Sequence, residues 1–407
     1  MKKSLVFVLI MAADQGLAYQ TASNHSYLKN STFANNHAVD IRGYGDLKSL
    51  YLKESTENIR IKFESDLSIS INLHAESSEI LKYGIKIIPS FNNHFGDHVS
   101  YHAFIDSYYG KFEFGSPLDV TENLRIGADS IAVGPSAING DIAKHLPKQQ
   151  NNLGSFIFGP GTLMNQNFGC HELELERKYW NNSKYLAKIN YYSPDIYGLQ
   201  LGLGLTPNVR LTGENLYAIT AMPNNNNNFP LGSFFGASLS FIKAIWDVGL
   251  ALSVAQEFNW SNPIDKIAGV SEKAVLNSRS YDFGISISYF GLTLAASYGL
   301  NSSGKLSGQA IGNIRNEKKN GNYRTYGGAY EFGSFSTSVT RFESKLEENR
   351  FGSTSYGVRV NLAKGLAIYA EYSDYFYEHE AVNYPAVNQN QVKEKGYEAI
   401  IGILVDF

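Results

Sequence analysis

Tyr397-Glu398-Ala399-Ile400-Ile401-Gly402-Ile403-Leu404-Val405-Asp406-Phe407 closes the 407-residue sequence. Every second residue is apolar: Tyr397, Ala399, Ile401, Ile403, Val405, Phe407. Between them lie Glu398, Ile400, Gly402, Leu404 and Asp406, a more mixed set. Side chains alternate across a strand, so this pattern builds a wall with an apolar face and a wetter one. Such a strand suits a barrel with lipid outside and water within.

The start of the sequence points the same way. Met1-Lys2-Lys3 is basic, and Ser4 to Ala13 is an apolar run. Gly16-Leu17-Ala18 supplies small residues before Tyr19. This is the layout of a secretory signal peptide over residues 1–18, with the barrel domain expected over 19–407. A membrane-spanning helix needs about 20 apolar residues, and no stretch here is long enough. Mean hydropathy is −0.23 and charged residues make up 18%, yet there are 27 Tyr and 24 Phe. Alternating strands reconcile these values, because only half of each strand has to be apolar. The single cysteine, Cys170, excludes an internal disulfide. A net charge of −3 gives no basic surface for a nucleic acid.

The alternation continues inward from the C-terminal strand. Residues 281–289 set Tyr281, Phe283, Ile285, Ile287 and Tyr289 against Asp282, Gly284, Ser286 and Ser288. Residues 246–254 set Trp246, Val248, Leu250, Leu252 and Val254 against Asp247, Gly249, Ala251 and Ser253. Leu199 to Leu205 alternate with Gln200 to Thr206, and residues 59–75 keep one parity through Ser65. Period two over so many residues predicts strands. Short Gly-, Pro- and Ser-marked turns alternate with long connections at 222–230, 258–279, 301–322, 344–352 and 378–395. The predicted fold is all-β, an antiparallel transmembrane barrel of about sixteen strands, short turns on one rim and long loops on the other.

Three motifs then carry a resemblance. Tyr108-Tyr109-Gly110-Lys111-Phe112-Glu113-Phe114-Gly115 resembles the strand that leads into the constriction loop of the general trimeric porins of Gram-negative bacteria. Tyr191 to Gly202 resembles the hairpin after that loop, and Asn361 to Tyr372 a late hairpin. Phe407 resembles the family's assembly signal, read by the outer-membrane assembly machinery. The resemblance implies a homotrimer in the outer membrane that passes small hydrophilic solutes and ions passively, with no cofactor and no enzyme activity. It also implies a constriction loop folded into the lumen, here roughly residues 116–166.

That segment carries Asp119, Glu122, Asp129 and Asp141, with Arg125, Lys144 and Lys148 among them. A connection this long is usually functional. If the family's transverse field is present, the facing wall should be basic. Inward parity supplies Arg42, Arg60 and Lys62, then Lys86, Lys188 and Arg359. Glu371 and Glu398 are also inward and are expected to be ordinary wall residues. Opposed charges in a narrow passage orient water and dipolar solutes. Tyr289, Phe290, Tyr330, Phe332 and Tyr372 are expected in aromatic girdles.

Two rival readings remain. One is an outer-membrane hydrolase, for which the sequence offers no Gly-x-Ser-x-Gly elbow. The other is a surface adhesin or antigen whose long loops act. His94, His98 and His102 are spaced by four, but Asn92, Asn93, Gly96 and Asp97 break the helix that would align them on a metal.

Overall fold

The computed structural model describes residues 37–54, 59–78, 81–92, 98–134, 160–161, 187–207, 233–260, 279–303, 319–346, 349–379 and 392–407. Sixteen strands close into one antiparallel barrel, each bonded to its neighbours in sequence, with the first paired to the last. They are β1 (His37–Glu54), β2 (Arg60–Ser78), β3 (Leu81–Asn92), β4 (His98–Ser107), β5 (Gly110–Gly115) and β6 (Lys188–Tyr192). Then come β7 (Leu199–Thr206), β8 (Ser233–Ile245), β9 (Val248–Trp260), β10 (Arg279–Tyr289) and β11 (Leu292–Ser303). The last are β12 (Lys319–Phe332), β13 (Phe335–Leu346), β14 (Asn349–Ala363), β15 (Leu366–His379) and β16 (Val392–Asp406). Closure leaves no unpaired edge, which is what lets strands stand in hydrocarbon.

Parity holds around the ring. Leu239, Val254, Phe283 and Ile403 are exposed on the outer face. Ser238, Ser253, Asp282 and Leu404 are buried on the inner one. Closure is completed by Phe407. Its backbone N donates to Gly43 O at 3.0 Å, and Gly43 N donates to Phe407 O at 2.8 Å. A side chain at Gly43 would collide with the Phe407 ring, so the absent Cβ is what admits it.

One rim carries the tight turns. Phe290 (φ 46°) and Gly291 (φ 81°) both adopt the left-handed conformation that a two-residue hairpin turn of this twist requires. Tyr289 and Phe290 stack edge-on there at 4.5 Å, with Tyr330 and Phe332 exposed nearby in the chain's next turn. A second aromatic belt runs across four strands: Tyr51 to Tyr397 at 6.2 Å, Tyr397 to Tyr372 at 5.8 Å and Tyr372 to Tyr356 at 6.4 Å. The ten steps from Tyr397 to Phe407, at about 3.3 Å each and tilted about 40°, span roughly 25 Å, the height of a barrel's apolar band.

Several expected boundaries move: β9 runs to Trp260, β12 starts at Lys319 and β16 at Val392, which shortens the connections expected at 258–279, 301–322 and 378–395. Trp246 is not in a strand but in the turn before β9, at φ 56°, because Ile245 pairs with Val248 and the two residues between must reverse the chain. The long connection expected at 344–352 is mostly strand, with Leu346 paired to Asn349. Outward Lys345 and Arg350 are charged while inward Phe351 is apolar, an inverted alternation that reads as loop when strands are sought by outward apolarity.

Candidate functional site

The segment after β5 turns into the barrel at once. Gly115 (φ 130°) has no room for a Cβ, which would strike the backbone of Tyr101 and His102. Ser116 fixes the turn: its N and Oγ donate to Tyr101 O at 2.8 and 3.0 Å, and its carbonyl accepts from Ser100 Oγ at 2.5 Å. Lys188 Nζ then donates to Pro117 O at 3.2 Å, and Asn190 Nδ2 to Leu118 O at 2.6 Å.

A single helical turn, α1 (Val120–Asn123), follows. Asp119 caps it, with Oδ1 accepting from Thr121 N at 2.9 Å and Thr121 Oγ1 at 2.7 Å. This satisfies an amide that has no partner inside the helix. Asn123 Nδ2 donates to Tyr192 OH at 2.7 Å. Beyond α1 the chain runs along the inner wall. Ile126 N donates to Ser253 Oγ at 3.0 Å, Ala128 N to Thr325 Oγ1 at 3.2 Å and Val133 N to Ser338 Oγ at 2.9 Å. The wall is hollowed to receive it: side chains at Gly204 or Gly236 would press on Asp119, and at Gly284 on Ile126 O. Thus β6 to β15 form a track of small and hydroxylic residues, ending where Gly134 abuts Glu371.

The segment's charges face one another. Arg125 is buried and forks onto both carboxylate oxygens of Asp129. Glu122 Oε2 lies 3.9 Å from its Nε. Burial opposes the guanidinium's charge, but Asp129, then Glu122 and Asp282, outweigh it and hold its proton more firmly than usual. Ala128 and Ala132 join an aromatic cluster with Tyr323, Phe342, Phe351 and Tyr375. Val133 packs with Leu50, Tyr369 and Ile400, bringing the segment to β1 and β16.

Asp119, Glu122 and Asp129 are therefore buried and engaged with α1 or Arg125, with little of them turned to the lumen. Asp141 lies outside the described residues, as do residues 1–36 and His94. Lys188 sits under the root of the segment instead of facing it from across the lumen. Arg42 and Lys86 lie on the inward faces of β1 and β3, while Lys62 and Arg60 on β2 stand beside Leu50 and Leu52, the β1 residues in the clusters that Ala128, Ala132 and Val133 join. Arg359 is inward on β14 and donates to Asn361 Oδ1 at 2.9 Å. The wall of β1 and β2 is mixed in sign: Lys48 Nζ stands 3.2 Å from Asp66, 3.7 Å from Asp46 and 3.7 Å from Glu64. Lys48 shares the inward parity of Arg42, so parity alone could have found it. The hydroxyls of Ser253, Thr325 and Ser338 could not be found that way, since an inward Ser is ordinary in any barrel.

Comparison with known proteins agrees with this geometry. A family model described as Gram-negative porin matches residues 12–380. An uncharacterized protein of Rickettsia bellii is 24% identical, over 94% of this chain and 91% of its own. One from Rickettsia prowazekii is 23% identical, over 98% and 99%. Among solved structures, the anion-selective porin of Comamonas acidovorans superposes with a TM-score of 0.59 at 14% identity, covering 91% of this chain and all of that one. OmpF of Salmonella typhi, solved with daunomycin, gives 0.60 at 10% identity, covering 92% and 99%.

Proposed function

Because the chain belongs to the Gram-negative porin family, and so is an outer-membrane channel, we propose that it passes small hydrophilic solutes and ions by passive diffusion. The observation that carries this reading is the segment docked inside a closed sixteen-strand barrel. A barrel of this strand number encloses a wide aqueous lumen. A covalently built-in segment running along the inner wall reduces it to a narrower passage. Conduction through such a passage depends on its width and on the charges that line it.

In this reading Arg42, Arg60, Lys62 and Lys86 meet the permeating solute, together with Asp46, Glu64 and Asp66. The charges of residues 119–129 act one step back, holding the segment's shape. The protein is exported with residues 1–18 removed, is delivered to the outer membrane through recognition of Phe407 by the assembly machinery, and associates as a homotrimer. The mass of the protein recovered from outer membranes tests the first point, expected to equal that of residues 19–407.

Planar-bilayer recording of the refolded protein in a salt gradient tests the channel itself. Stepwise conductance, in triplets for a trimer, is the expected outcome. A folded, inserted and silent protein would end the proposal and favour an adhesin.

A further inference from the structure

Two carboxylates oppose each other on the inner wall. Asp46 on β1 is the direct partner of Asp66 on β2. Like charges in that relation repel, so the pair is stable only if each acid has its own donor. Lys48 supplies the first. Its direct partner across the strands is Glu64. Its Nζ nevertheless lies nearest to Asp66, to which it donates at 3.2 Å, with Asp46 and Glu64 each at 3.7 Å.

The second donor comes from two strands away on the other side. The Tyr369 hydroxyl, on β15, lies 3.0 and 3.2 Å from the two carboxylate oxygens of Asp46 and donates to them. To reach Asp46 the ring crosses β16 over Gly402, which pairs with Tyr369 on one side and with Lys48 on the other. A Cβ on Gly402 would stand 2.3 Å from a ring carbon, so a glycine is what leaves the way open. The ring also belongs to the cluster that Val133 of the docked segment joins, with Leu50 and Ile400. The two acids end in different surroundings. The Asp46 side chain is 2% exposed and that of Asp66 31%, so Asp66 is the one of the pair that can present charge to the passage.

We propose that the Tyr369 hydroxyl is a positioning group for the charge of the passage: by holding Asp46 on the β16 side it leaves Lys48 to Asp66 and keeps that carboxylate paired. A buried carboxylate that loses a donor must find another or stay unsatisfied. Without the hydroxyl, Asp46 moves onto Lys48, 3.7 Å away, and Asp66 turns to the lumen as an unpaired charge. The balance between anions and cations is thus set in part by a buried residue on β15. This inference rests on the channel reading and deepens it.

The test is the reversal potential of the refolded full barrel in a planar bilayer under a tenfold salt gradient at neutral pH. Tyr369→Phe keeps the ring over Gly402 and removes only the hydroxyl. It should shift the potential by several millivolts toward cation preference. The shift should be lost in Tyr369→Phe/Asp66→Asn measured against Asp66→Asn, because the released charge is gone. It should also be lost in Tyr369→Phe/Asp46→Asn measured against Asp46→Asn, because a neutral amide does not compete for Lys48. A second readout needs no current. Coupling of a soluble amine by a water-soluble carbodiimide, located by mass spectrometry, should modify Asp66 severalfold more in Tyr369→Phe than in the wild type. Heat-dependent gel mobility shows that each barrel is folded. An unshifted potential, a shift toward anions or unchanged Asp66 labelling overturns the proposal. A shift that persists in the Asp46→Asn background also overturns it and makes Tyr369 a packing residue only. A silent wild type ends the channel reading instead, and the labelling alone then decides whether the hydroxyl governs Asp66.

Discussion

Arg125 is the residue on which the docked segment turns. It sits among Asp129, Glu122 and Asp282, with the carboxylates of all three in or near burial. Removing one partner of a buried ion pair costs about 3–5 kcal/mol, because the other charge is stranded. Arg125→Ala should therefore release the segment locally while the barrel persists. Single-channel recording should show a larger and noisier conductance, and limited proteolysis should cut within 116–134 where the wild type resists. At the other end of the chain, Gly43 and Phe407 form a closure contact. Gly43→Val and Phe407→Ala should each lower the yield of folded barrel, read as the heat-sensitive fraction on a gel. Phe407→Leu should fall between, since a smaller apolar group still covers Gly43. Yields equal to wild type would show that the contact follows assembly and does not drive it.

At the scale of elements, the segment is held by wall hydroxyls that accept its backbone amides. A buried N–H that loses its partner costs about 1–3 kcal/mol, against about 1 kcal/mol for an ordinary bond removed. Ser253→Ala/Thr325→Ala/Ser338→Ala takes three acceptors away without adding volume. Loop opening should increase, and hydrogen exchange at Ile126, Ala128 and Val133 should rise well before the strand amides exchange. If those amides stay protected, the aromatic cluster around Ala128 and Ala132 carries the docking alone. The same scale explains why the hairpin of β13 and β14 read as a loop. Arg341, Glu343, Lys345 and Arg350 occupy outward positions that are apolar elsewhere in the barrel. They do so where the strands leave the hydrocarbon, and there the rule for outward residues no longer applies.

For the whole molecule, the asymmetry of the lumen sets the expected electrical behaviour. The described part of the docked segment, residues 116–134, lies against β6 to β15 with Arg125 set on Asp129 and Glu122, while β1 to β3 carry the inward cations Arg42, Arg60, Lys62 and Lys86. Arg60→Gln/Lys62→Gln/Lys86→Gln removes three cations from that arc. In a tenfold salt gradient the reversal potential should move toward cation preference, by several millivolts or more if these groups line the narrowing. No movement would place the narrowing elsewhere along the passage.

Much of this architecture is local and hence legible. Period-two alternation gave the strands of 59–75, 199–206 and 281–289, their inward and outward faces, and an antiparallel barrel of about sixteen. It also assigned Arg42, Arg60, Lys62, Lys188 and Arg359 to the inner face, because parity needs only the next residue along a strand. The break in alternation after Gly115 marked only a long connection, and its inward fold was what the family resemblance implied. What parity could not supply was which wall receives that segment and which groups its carboxylates meet. Asp119 capping α1, Asp129 gripping Arg125 and Lys188 lying under Pro117 all depend on contacts between strands far apart in the chain. Those contacts exist only after the barrel closes and its register is set, so the tertiary structure alone decides them.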